Sequence, residues 1–365
     1  MTTKFLFLAL FFPNGTREIG FRLKGKESTI MKKRSLLMLS ALMLACGCLF
    51  ANGTQENASS SVKPITLKFA LQNGETHPLC QGVKRFADLV EEKSNGRIKM
   101  QLFYSGALGS KTSTVQGMQT GTIDGAMLMG GVIADYGPDQ LKVFTLPYLF
   151  DDVAHARSFE KSDNGRALLD IVQSSGSKMV CVGAYQESAR NYFFTKKDVK
   201  HPSDMKNLMI RCQEGSVYFD AAEALGANVQ SVAFSELYSA LQSGVVDGAE
   251  QPLSGFVNNA FQEVSKYYVL DQHEISPNLI LMSEITWNKL GADDQKLLKA
   301  CFDESVPYFE QISDAKDAEY LKQIKNAGVK VNEVDVSEWQ KACERVYAKY
   351  DAKYGSLIKQ IKASK

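Results

Sequence analysis

From Ile65 onward the chain alternates short β-branched and apolar runs with stretches whose apolar positions recur at helical spacing. Ile65 to Leu71 predicts a strand, Pro78 to Lys93 an amphipathic helix, and Arg97 to Phe103 a strand after the Asn95-Gly96 turn. Ser110 to Thr120 then predicts a helix and Ile123 to Met129 an apolar strand. A second series of similar plan starts near Arg190. It runs through strand Leu208 to Cys212, helix Ser216 to Leu225, a strand around Val229, helix Ser235 to Ser243 and strand Val245 to Glu250. Leu279 to Met282 predicts another strand, and Ala292 to Asn326 a long helix interrupted at Pro307, whose missing backbone donor predicts a kink. A final strand at Val329 to Val331 and helices from Ser337 complete the chain. The reading is therefore an α/β protein of two lobes, residues 64–188 with about 276–316 forming the first and 189–275 with about 317–365 the second. Two lobes imply a cleft, and long C-terminal helices are placed to strap both.

The pattern before Ile65 is different. Lys32, Lys33 and Arg34 precede an apolar run from Leu36 to Ala45, followed by Cys46, Gly47 and Cys48. This is the layout of a secretion signal. The run is too short to span a bilayer, which takes roughly 20 apolar residues. A small residue before a cysteine, Ala45-Cys46 or Gly47-Cys48, resembles a bacterial lipoprotein processing site and makes Cys46 or Cys48 the lipidated residue. Cutting after Ala51 is the alternative and would release a soluble protein. The polar stretch from Asn52 to Ser61 reads as a flexible leash and favours the tether, with a periplasmic, lipid-anchored location. Residues 1–30 read as an over-extended start, residues 31–51 as the signal and 52–63 as the linker.

Charge changes once the leader is set aside. Eight of the 42 Lys/Arg and two of the 41 Asp/Glu precede Cys46, leaving 34 basic and 39 acidic residues and a net charge of −5. That balance lacks the electrostatic footprint of a nucleic-acid binder. The remaining five cysteines, Cys80, Cys181, Cys212, Cys301 and Cys343, are widely spaced and read mostly as buried thiols.

The candidate chemical motifs fail on their own requirements. Gly106 to Thr112 resembles a phosphate-cradling loop but has Ser110 where that loop needs Gly before Lys111. His273-Glu274 has no second histidine four positions on, and the four histidines show no metal-ligand spacing. Ser203-Asp-Met-Lys206 and Ser162-Asp-Asn164 imitate two penicillin-recognising elements in reversed order without the third. No nucleophile has a credible base, so neither an enzyme nor a metal or cofactor site is expected.

Four blocks carry a resemblance: Phe86 to Met127, Val143 to Ala156, Pro202 to Arg211 and Ala224 to His273. They are similar to the solute receptors of tripartite ATP-independent periplasmic (TRAP) transporters, the DctP type, in the right order over roughly residues 65–335. The resemblance implies a periplasmic-binding-protein-like fold closing on a small organic acid. It also implies delivery to TRAP membrane permease subunits and, as in some members, a helical-repeat periplasmic partner. By the same resemblance Arg211 pairs with the ligand carboxylate and Arg190 is a second ligand arginine. Gln251 stands where the family usually has asparagine, one methylene shorter.

The residues support this. Leu208-Met209-Ile210 reads as a buried strand, ligands of α/β sheets gather beyond strand carboxyl ends, and a guanidinium grips a carboxylate through two parallel hydrogen bonds. Phe234 and Tyr238 lie four apart on a helix that Ser235 is expected to cap, with Phe234 assigned to the core and Tyr238 to the cleft. Glu75 and His77, in the loop after the first strand, read as exposed loop residues, with a place at the border of the cleft as the alternative. A docking lipoprotein and an exported enzyme are the rival classes.

Overall fold

The computed structural model describes residues 63–213 and 216–364, so the signal, lipidation and linker expectations for Cys46, Cys48 and their surroundings lie outside the described residues. The chain begins with β1 (Ile65–Ala70), α1 (Pro78–Lys93), β2 (Ile98–Phe103), α2 (Lys111–Thr120) and β3 (Gly125–Met129). After short helical turns come α3 (Val153–Lys161), α4 (Asp163–Ser174) and β4 (Met179–Gln186). β5 (Asn191–Phe194), β6 (Met209–Cys212), α5 (Ser216–Ala224), β7 (Asn228–Ser231), α6 (Leu237–Ser243), β8 (Gly248–Gln251), α7 (Leu253–Asn258) and β9 (Tyr267–Leu270) follow. β10 (Pro277–Ser283), α8 (Ala292–Asn326), β11 (Lys330–Glu333) and α9 (Val336–Lys362) end the described chain.

The strands form a five-stranded sheet, β2-β1-β3-β10-β4, and a six-stranded sheet, β11-β9-β5-β8-β6-β7. Successive strand residues point to opposite faces. On β10 this sends Leu279 and Leu281 into one core and Ile280 and Met282 into another. Both faces of the first sheet are therefore covered, which is why β10 is apolar without alternation. The second sheet behaves alike, with Phe194 in one core and Phe193 in the other.

Two short segments, 187–190 and 271–276, link the sheets side by side. Arg190 N donates to Glu274 O at 2.7 Å, Tyr192 N to Asp271 Oδ1 at 2.9 Å and Gln272 N to Asn191 Oδ1 at 2.9 Å. α8 spans both lobes, placing Phe302 and Phe309 in the first lobe's core and Tyr320 and Ile324 in the second's. Pro307 lies inside this helix and removes one donor, the one that would bond the Asp303 carbonyl, yet the helix continues unbroken from Ala292 to Asn326. The expected interruption is absent because packing at both ends holds the segment.

α9 is the second strap. Trp339 and Cys343 pack into the second lobe, while Val346, Tyr350, Tyr354 and Ile358, expected with that lobe, pack into the first. Burial of each such large apolar side chain contributes about 1.5–3 kcal/mol. All five described cysteines are buried free thiols. No described helix is long and apolar enough to cross a membrane.

Candidate functional site

The carboxyl end of β6 meets the turn after β1 and the amino end of α2 across the interlobe cleft. Arg211 is the third residue of β6, which pairs in parallel with β7 and β8. Its side chain is only 2% exposed, donates from Nε to Val232 O at 2.9 Å and places Cζ 6.0 Å from the Phe234 ring centre. It lines an outer chamber of about 410 Å³, with Gln72, Lys111, Gln213 and Phe234 on the walls. That volume lies in the range of small-molecule sites.

An inner chamber of about 50 Å³ shares Gln72, Lys111, Gln213 and Phe234 with the outer one and adds Arg190, Gln251, His77, Glu187 and Asn278. It has room for a few waters or a ligand substituent rather than a second solute. The sequence-predicted residues thus divide, Arg211 and Tyr238 lining the outer chamber and Arg190 and Gln251 the inner.

Arg190 is buried and its charge is already answered. Nε donates to the Glu250 carboxylate and Nη2 to the Glu250 carbonyl at 3.1 Å, while Nη1 faces the Met129 sulfur at 3.7 Å. Burial opposes the guanidinium charge, but Glu250 and Glu274 overcome it and raise its pKa. Burial likewise pushes the Glu250 carboxyl up, and Arg190 outweighs this and holds it below its ordinary value. Glu274, buried beside Glu250, is pushed up to about 7.

Gln251 ends β8. Its carbonyl accepts from Tyr268 OH at 2.9 Å, and its amide packs so closely on Gly255 that a Cβ there would lie 2.6 Å from Oε1. Glycine at 255 is what gives the longer amide its place. Tyr238 stands at the rim, where its hydroxyl donates to Glu263 Oε2 at 2.8 Å.

Several cleft residues escaped the sequence reading or were set aside in it as exposed. His77 is 1% exposed, not a loop residue in solvent; its Nδ1 accepts from Leu79 N at 3.3 Å and so caps α1. Burial lowers its pKa to about 3, so the imidazole is neutral beside Glu187 Oε1 at 3.5 Å. Glu187, on the first crossover, accepts from Ser254 Oγ and is pushed up to about 7 by burial. Glu75, by contrast, is exposed. Phe234 is half-buried on the cleft wall, edge-on to Phe261 at 6.3 Å. Ser235 does not cap the helix: Phe234–Glu236 is a 3-10 turn and Glu236 precedes α6 without a side-chain cap bond. Lys111, dismissed with the failed phosphate loop, crosses the cleft and donates from Nζ to Gln213 Oε1 at 2.7 Å.

Among the described residues one group could offer metal ligands, Glu250, His273 and Glu274, whose ligand atoms lie within 4.8 Å of one another. The group is a poor cation site. The Arg190 guanidinium is bonded to Glu250, and His273 Nδ1 lies 2.7 Å from Asp271 Oδ2. Burial pushes His273 down, but Asp271 overcomes it and raises its pKa.

Residues 69–353 match the model of the DctP family, described as bacterial extracellular solute-binding protein, family 7. A solute-binding protein of Verminephrobacter eiseniae is 30% identical over 84% of this chain and 91% of its own. The 2,3-diketo-L-gulonate-binding periplasmic protein YiaO of Escherichia coli is 29% identical over 78% of this chain and 85% of its own. Among solved structures, a TRAP periplasmic solute-binding protein from Pseudomonas putida with bound D-glucuronate aligns with a TM-score of 0.79 and 31% identity. It covers 81% of this chain and 96% of that one.

Proposed function

The chain belongs to bacterial extracellular solute-binding protein family 7, and from that premise we propose that this TRAP solute receptor grips a small hydroxylated carboxylate with Arg211. The observation that carries the reading is the buried guanidinium at the carboxyl end of β6, opening on an interlobe chamber of about 410 Å³. There the planar fork offers a carboxylate two charge-assisted hydrogen bonds, each contributing on the order of 1.5–3 kcal/mol. Two such bonds with apolar contact on Phe234 approach the roughly 8 kcal/mol that a dissociation constant of about 1 μM requires.

The amides of Gln72, Gln213, Gln251 and Asn278 both donate and accept, as hydroxyl groups do, which suits a sugar acid. The glucuronate of the Pseudomonas putida receptor and the diketogulonate of YiaO are such acids. Arg190 Nη1 serves as a secondary donor from the inner chamber, and Tyr238 contributes at the rim. Closure then distinguishes loaded from empty receptor for the membrane permease, which takes up the released solute without chemical change.

A thermal-shift screen of organic acids tests this. Sugar acids should raise the melting temperature, and the solute should be recovered intact by mass spectrometry. If apolar lipids shift the melt and no carboxylate does, the reading fails. Lipid attachment at Cys46 or Cys48 belongs to the same proposal, as does a helical-repeat periplasmic partner. Replacing both cysteines by serine should free the protein from membranes, and retention there would exclude the lipid tether.

A further inference from the structure

We infer that Glu187 couples solute capture to the uptake of a proton: closing the lobes buries this carboxyl between His77, Ser254 and Asp317, where it is held in its acid form. The inference deepens the receptor reading given above and rests on it. Its basis is where one side chain stands. Glu187 lies on the first crossover and is 8% exposed. Its Oε1 accepts from Ser254 Oγ, at the start of α7 in the second lobe, and lies 3.5 Å from His77 Nε2, at the amino end of α1 in the first. One carboxyl oxygen thus meets both lobes on the wall of the inner chamber. Beside it Thr76 Oγ1 donates to Asn258 Oδ1 at 3.2 Å and Asn258 Nδ2 donates to Tyr320 OH at 2.9 Å, an uncharged tie between the same elements. Rotation of the lobes apart breaks these contacts and admits water to the carboxyl.

The groups that face Glu187 serve an ionised carboxyl poorly. From α1, the His77 imidazole is neutral, because its Nδ1 accepts from Leu79 N and cannot take a proton without giving up the helix cap. Cys80, on the same helix, is a buried thiol pushed up to about 12 and so uncharged. α7 offers the hydroxyl of Ser254. On the crossover Arg190 is a cation, but its Nε is bonded to Glu250. α8 brings Tyr320 and a second acid, Asp317, whose Oδ1 accepts from Ser188 Oγ at 3.1 Å. Burial and then the Glu187 charge push Asp317 up to about 7, with Asp314 adding to the repulsion and Arg157 opposing it. Two neighbouring acids resist ionising together.

Closure raises the Glu187 pKa from the ordinary 4.5 toward about 7, chiefly by burial. A solute that selects the closed state therefore binds most tightly below 4.5, loses affinity as pH rises through 7 and levels off above it.

The test is calorimetric titration of the whole mature protein with D-glucuronate, D-galacturonate and D-erythronate as probes, in buffers of different ionisation enthalpy. An acid that binds should take up on the order of 0.5–1 proton per solute at pH 6.5, and its affinity should fall about tenfold or more from pH 5.5 to pH 8. The probes keep their own carboxylates ionised throughout that range. Glu187→Gln, which keeps an acceptor for Ser254, should abolish the uptake and flatten the pH dependence. Binding without proton uptake by the unaltered protein overturns the inference, as does uptake that survives in Glu187→Gln. Should that variant fail to fold, Asp317→Asn carries the test. It removes the neighbouring charge and should move the fall in affinity to lower pH, and an unmoved fall overturns the inference. The two levels separate cleanly: binding of none of the three acids removes the receptor's carboxylate reading and this inference with it, whereas binding without a proton removes the inference alone.

Discussion

The two chambers of the cleft each contain a buried arginine, and the neighbours decide what each arginine does. In the outer chamber Arg211 shares the wall with Lys111, Gln213 and Phe234 and donates to Val232 O. In the inner chamber Arg190 is bonded to Glu250, with Glu274 beside it and Glu187 on the wall. A guanidinium matched by buried carboxylates beside the crossover holds the two lobes together, whereas one on the wall of the larger chamber stands where a solute has room to bind. Residue type and burial are alike for the two; the surroundings are not.

The comparison breaks most visibly at Arg190. Arg190→Ala strands the Glu250 charge in the interior and should cost about 3–5 kcal/mol of stability, read by denaturant unfolding. Arg190→Met combined with Glu250→Gln should recover much of the loss. An Arg190→Ala protein as stable as the original would make the inner pair dispensable and erase the contrast.

Glu187 sharpens the same contrast through pH. Its folded pKa of about 7 lies above the ordinary 4.5, so the folded state holds the proton more tightly. The contribution to stability therefore falls as pH rises from 4.5 through 7, and above that the buried charge is fully penalised. Glu187→Gln keeps an acceptor for Ser254 and should raise stability by on the order of 1–3 kcal/mol at pH 8, with a much smaller gain at pH 5. Thermal melts at the two pH values decide it, and equal shifts would place the proton elsewhere. The smallest effect is expected at the rim, where Tyr238→Phe removes an exposed bond to Glu263. It should change solute affinity by less than about 1 kcal/mol, and a larger loss would move Tyr238 into the grip.

Much of the fold was legible because periodicity and burial agree locally. Pro78 to Lys93 and Ala292 to Asn326 emerge as the helices expected, and the Leu208 to Cys212 reading places Arg211 where β6 delivers it. The short strands β5 and β9 were not assigned. Each has only four residues, and Asn191–Phe194 is buried throughout, so no alternation marks it. Site residues fared unequally for a related reason. Arg211 stands out through the family resemblance of Pro202 to Arg211, with which its place on the apolar strand β6 agrees. Lys111 begins a helix, where a lysine ordinarily extends into solvent, and only the approach of the second lobe puts Gln213 against it. His77 read as a loop residue because its burial comes from packing over the crossover at Glu187, far away in sequence. Pro307 signalled a break that tertiary packing on both lobes overrides.

The central claim is that Arg211, rather than Arg190, supplies the main grip on the solute carboxylate. Titrating one sugar acid into the unaltered protein, Arg211→Ala and the Arg190→Met/Glu250→Gln pair tests it most directly. The account predicts a loss of 100-fold or more for Arg211→Ala, about 2.7 kcal/mol or greater, with the melting temperature of the empty protein little changed. It predicts a loss of roughly tenfold or less for the paired variant. Unchanged affinity in Arg211→Ala, or a greater loss in the paired variant, would contradict it.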